Sequence, residues 1–166
     1  MLVSVQLRRL IAATLVCASV VLGLSVLIGS GRAQSRPGTA ASDTCSAADK
    51  QFLTTVSSNM TQLGYWSDSL TNGDATPALV IKQAKSESAQ VYASTPTDPS
   101  LLTARSLLRK MFLEYAAAVR AKALGSSPGD HVRNAYTLAN GVHELLVQAQ
   151  PGMTARGCNL APLLQA

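Results

Sequence analysis

Asp98-Pro99-Ser100-Leu101-Leu102-Thr103-Ala104-Arg105-Ser106-Leu107-Leu108-Arg109-Lys110-Met111-Phe112-Leu113-Glu114-Tyr115-Ala116-Ala117-Ala118-Val119-Arg120-Ala121-Lys122-Ala123-Leu124-Gly125 decides the fold. An acceptor side chain followed by proline is a helix start, because proline gives up an N–H that the first turn cannot use. Leu101, Leu108, Met111, Phe112, Tyr115 and Val119 recur on one side of a 3.6-residue period, and Gly125 stops the run. This spacing predicts a long amphipathic helix from Pro99 to Leu124.

The flanking sequence repeats the signal. Ser127-Pro128 opens a following segment, with Asp130 in its first turn. Val132, Tyr136, Ala139, Val142, Leu146 and Ala149 are read as its inner face, and Pro151 as its end. Thr76-Pro77 opens a preceding segment with a thinner stripe of Leu79, Val80, Ala84 and Val91, ending at Ser94-Thr95-Pro96. The first segment runs from Ser46 to Leu70, with Ser46 as cap and Asp49 three residues on. Phe52, Val56, Met60, Leu63, Trp66 and Leu70 share its face, and Asn72-Gly73-Asp74 closes it. No segment alternates with period two. Short connections make sequential helices antiparallel, so the expected fold is all-α, an up-down four-helix bundle. The last stretch, Gly157 to Leu164, is read as too short and broken for a fifth helix, its leucines packing near the first.

Cys45 and Cys158 stand at the two ends of this bundle. Paired, they close most of the domain into one loop, worth about 4–5 kcal/mol in a chain-entropy account. The alternative is two free thiols, one of them open to pairing with another protein. No histidine stands near either cysteine at metal-ligand spacing.

Upstream, Leu10 to Ser30 contains no charged residue. At about 1.5 Å per residue it spans the roughly 30 Å hydrocarbon core of a bilayer. Two readings stand for residues 1–33. One is a retained signal-anchor, favoured by the length of the apolar run. The other is a signal peptide cleaved after Ala33, where Gly31-Arg32-Ala33 offers small residues at both positions a peptidase reads. Either puts Arg8 and Arg9 on the cytoplasmic side and the domain outside. Cys17 lies within the run after Thr14-Leu15-Val16, which lacks the small residue of a lipoprotein signal, and reads as an apolar residue. Residues 34–44 are polar and contain Pro37-Gly38, so they read as a linker, and 45–166 as the extracytoplasmic domain.

Four of the five formal positive charges come from arginines that flank the apolar run. Without Arg8, Arg9, Arg32 and Arg36 the chain has 10 basic against 9 acidic residues. Net charge therefore implies no nucleic-acid-binding face. Arg105, Arg109 and Arg120 lie along nearly one line of the third segment. They read either as a solvated face or as a contact for an acidic partner or anionic headgroups.

Little in the inventory supports catalysis. No serine stands in a glycine elbow, no glycine loop cradles phosphate, and Glu87 and Glu114 fall on separate segments. His131 and His143 are about 120° apart on a helix and cannot share a ligand. Tyr136 and His143, seven residues apart, share a face and could reach a ligand within the bundle; the plainer reading is a core tyrosine and a boundary histidine. Asn59-Met60-Thr61 matches a glycosylation acceptor, although Met60 is on the apolar face.

Ser42-Asp43-Thr44-Cys45-Ser46-Ala47-Ala48 and Gly157-Cys158-Asn159-Leu160 resemble the ends of small exported, cysteine-flanked helical proteins of mycobacteria and their relatives, haemophore-like proteins among them. The likeness is one of layout: leader, cysteine, helices, cysteine near the end. It implies a haem site using tyrosine and histidine. Tyr65 stands where such a tyrosine is expected, and no histidine follows it in that segment.

Together these readings give a non-enzymatic extracytoplasmic interaction module, a membrane-tethered accessory subunit of a cell-envelope complex. The alternative is an exported carrier of a small ligand, haem or lipid, with Tyr65, Tyr136 and His143 as ligand contacts. The interaction module is expected to need no cofactor, and haem enters only with the carrier alternative.

Overall fold

The computed structural model describes residues 44–164, and all secondary structure in that range is helical. The leader expected over 1–33, and the linker up to residue 43, lie outside the described residues. Four long helices follow one another: α1 (Ala47–Asn72), α2 (Pro77–Ala93), α3 (Pro99–Ala123) and α4 (Gly129–Ala155), with a single turn, α5 (Ala161–Leu164), at the end. Short turns make successive helices antiparallel. Among the described residues, no helix is long and apolar enough to cross a membrane.

The starts of the first three helices follow the sequence signals. Ser46 Oγ accepts the Asp49 N–H, Thr76 accepts from Leu79, and Asp98 accepts from Ser100 and Leu101. Gly73 and Gly125 end α1 and α3 with φ of 83° and 74°, backbone that a Cβ would strain.

α4 departs from its reading at both ends. It begins one residue late, at Gly129; Pro128 holds the cap position and offers no side-chain acceptor, while Ser127 Oγ, one residue further back, accepts the Gly129 N–H at 3.4 Å. Pro151 does not end it. The helix runs on to Ala155, because Met153 is wholly buried in the core and holds the last turn in place. The C-terminal stretch, read as unable to form a helix, makes the one turn of α5. Asn159 Oδ1 starts that turn by accepting the Ala161 N–H at 3.1 Å.

The main core takes Phe52, Leu53 and Val56 from α1, Val91 from α2, Leu101, Leu108, Met111 and Phe112 from α3, and Val142, Leu146 and Met153 from α4. Leu160 joins it, with Leu163 and Leu164 packed against it. A smaller cluster of Ala75, Val80 and Val119, with Trp66, Leu70 and Tyr115 against it, fills the other end.

The Cys45–Cys158 disulfide forms, with Cα atoms 5.1 Å apart. A polar network surrounds it. Cys45 N–H donates to the Arg156 carbonyl at 2.6 Å. Arg156 pairs with Asp98, and Asp49 accepts the N–H groups of Thr97 and Asp98 at 2.7 and 3.1 Å. The start of α1, the α2–α3 connection and the end of α4 are thus joined at one end of the bundle.

Candidate functional site

Helix α4 carries an unusual outer surface. Its core side is Ala135, Leu138, Ala139, Val142, Leu145, Leu146, Ala149 and Met153. Val132 and Tyr136, both read as inward, are instead 40% and 49% exposed. The reason is breadth: apolar residues cover more of α4 than one buried face needs, so period alone does not choose the edge that packs. The side with small residues takes the neighbouring helix. A Cβ on Gly141 would already touch Leu107 of α3 at 3.7 Å. The tyrosine and valine edge is left outside. His143 and Val147 continue this edge, and both are exposed. Neither Tyr136 nor His143 has a hydrogen bond, ion pair or ring contact among the described residues. Both therefore stand at the surface and not between the helices.

Tyr65 is 61% exposed on α1, its ring edge-on to Trp66 with centroids 5.0 Å apart. No hydrogen bond or ring contact joins it to Tyr136 or His143. The arginines of α3 divide. Arg105 donates to the Ser94 carbonyl at 2.8 Å, satisfying the end of α2. Arg109 lies over the Tyr92 ring at 4.2 Å, with Arg105 at 5.6 Å from the same centroid. Arg120 is exposed in the last turn of α3, where a cation suits the helix dipole, and makes no ion pair among the described residues.

The structure also buries polar groups between the helices. Glu87 is buried, 4% exposed, and burial pushes its carboxyl up to about 7. Among the described residues its Oε2 has no hydrogen-bond partner, nor has the buried Trp66 Nε1. Asn59 Nδ2 donates to the Glu87 carbonyl at 3.2 Å, and Ser88 Oγ to the Arg109 carbonyl at 3.1 Å. Ser67 and Tyr115 share a hydrogen bond at 2.6 Å. Burial raises the Tyr115 hydroxyl above its ordinary value, with the charges of Glu87 and Asp68 adding and the Ser67 bond opposing. The signal was present: Val80, Ala84, Glu87 and Val91 fall at i, i+4, i+7 and i+11, one buried face. Asn59 holds the matching position between Val56 and Leu63. Being buried and bonded, it closes the glycosylation acceptor. Glu114, read as isolated, meets His131 of α4 at 2.8 Å.

Two surface grooves border α1. One, of about 480 Å³, lies against the C-terminal segment, and Lys50, Leu53, Thr54, Asn159, Pro162 and Leu163 are among its lining residues. The other, also about 480 Å³, lies toward α2 and is lined by Gln51, Thr54, Thr55, Ser58, Asn59 and Gln90. Neither contains a carboxylate or histidine, so neither presents an acid–base pair. Among the described residues no group of three or more His, Cys, Asp or Glu side chains could hold a metal.

No protein-family model, no curated protein and no solved structure matches the chain.

Proposed function

We propose that this chain is a non-enzymatic interaction module of the cell envelope. In this reading the apolar run at Leu10–Ser30 tethers it, and the helical domain serves as an accessory subunit outside the membrane. One observation carries the proposal: α4 turns Val132, Tyr136 and Val147 to solvent beside an exposed His143. Aromatic and aliphatic side chains aligned on a rigid, disulfide-held element are what a protein-binding surface uses as anchors.

Site-specific photo-crosslinking in cells tests it. A photoreactive residue at Tyr136 should capture a protein chain, whereas one at the similarly exposed Leu113 of α3 should not. Equal capture at both positions, or none at Tyr136, would count against an interaction surface on α4.

A further inference from the structure

The exposed edge of α4 has a pattern that reads alike in both directions. Val132, Tyr136, His143 and Val147 stand at i, i+4, i+11 and i+15. At about 100° per residue they occupy a stripe only about 60° wide. An identical helix can be laid antiparallel against it, on a two-fold axis between residues 139 and 140. Each Val132 then falls opposite Val147 of the other copy, and each Tyr136 opposite His143. A closed two-fold interface requires this self-complementarity, residue i meeting j while j meets i.

The charges beside the stripe obey the same symmetry. Arg133 and Glu144 lie on one flank, about 20° apart in projection. In an antiparallel two-fold pair, like flanks face one another. Arg133 therefore approaches Glu144 of the other copy with an axial offset of about 3 Å, well within the reach of its side chain, and the pair occurs twice. Among the described residues the Arg133 side chain pairs with Asp130 alone, at 3.2 Å, with both side chains largely in water. Such an exposed pair contributes little and is readily exchanged or shared.

We infer that the chain forms an isologous dimer through α4, its partner being a second copy of itself. The valines and the Tyr136–His143 pairs form the seam, and two Arg133–Glu144 ion pairs fix the register. This rests on the assignment of α4 as the interaction surface and specifies its occupant.

Charge exchange in the full chain tests it, in a Cys17→Ser background purified in detergent and followed by sedimentation equilibrium. Arg133→Glu and Glu144→Arg should each weaken dimerisation about tenfold, since each places two like-charged pairs in the interface. The double exchange should restore it to within about threefold. Both positions are exposed, and circular dichroism would confirm that each variant folds. Asn140→Cys, beside the axis, should oxidise to a covalent dimer, whereas Ser106→Cys on α3 should not. A chain monomeric at about 1 mM, an association constant indifferent to both exchanges, or equal crosslinking at residues 140 and 106 would overturn the inference. The proposed function fails separately: a monomer whose Tyr136 position still captures another protein retains that function and loses only the dimer.

Discussion

The carboxylate of Asp49, in the first turn of α1, accepts the backbone N–H of Thr97 at 2.7 Å across the bundle. The same group receives the Thr97 hydroxyl at 2.9 Å, the Ser46 hydroxyl at 2.7 Å and the Asp98 N–H at 3.1 Å. Burial alone would raise its pKa. The hydrogen bonds from Ser46, Asp98 and Thr97 outweigh that and hold it below the ordinary carboxylate value. Asp49→Ala strands these donors at a partly buried junction and should cost about 3 kcal/mol. Asp49→Asn, which keeps one acceptor, should cost less. Urea denaturation of the three proteins checks the order.

Glu87 and Asp49 give stability opposite dependences on pH. Glu87 is protonated more readily folded than unfolded, so its contribution is complete below pH 4.5 and is lost as pH rises toward about 7. The lowered pKa of Asp49 works the other way: its contribution is complete above 3.8 and is lost on acidification through its folded value. Stability should therefore peak in mildly acidic solution. Glu87→Gln should flatten the decline toward neutrality and stabilise the protein at pH 8 by on the order of 2 kcal/mol. Denaturation midpoints measured from pH 3 to pH 8 for both proteins test this. A wild-type curve flat between pH 5 and pH 8 would sink it.

The bridge closes a sequence separation of 113 residues. Cys45→Ala/Cys158→Ala should lose about 4 kcal/mol and about 15 °C in Tm, and retain its helical content. Calorimetry with circular dichroism separates lost stability from lost fold.

The α3 arginines should differ in a way that an undivided basic face would not. Arg105→Ala removes the hydrogen bond to Ser94 at the end of α2 and one cation over Tyr92, and should cost about 1 kcal/mol. Arg120→Ala should fall within about 0.5 kcal/mol of the parent. Chemical denaturation reads both.

The bundle was legible because its punctuation is strong. Ser46, Thr76-Pro77, Asp98-Pro99, Gly73 and Gly125 fix helix ends by local chemistry, and the two cysteines frame the result. Tertiary packing overrode local signals at Pro151, where burial of Met153 carries α4 through a residue that favours stopping. Tyr136 was misread because apolar pattern measures how much of a helix is hydrophobic, whereas fit against Leu107 and the small residues of α4 decides which edge is covered. Glu87 and Asn59 were visible as period positions. Their burial was not, since only the folded chain closes α1 and α2 over them and bonds Asn59 to the Glu87 carbonyl.

The Cα separation of 5.1 Å at Cys45 and Cys158 makes the described domain a covalent ring in all but its peptide bonds. Such a ring has no privileged starting point. A cut at Ser126-Ser127, in the turn between α3 and α4, would leave two pieces still joined through sulfur and still packed. A peptide linker across the present ends would allow new termini to be opened there, giving a circular permutant of the same four helices.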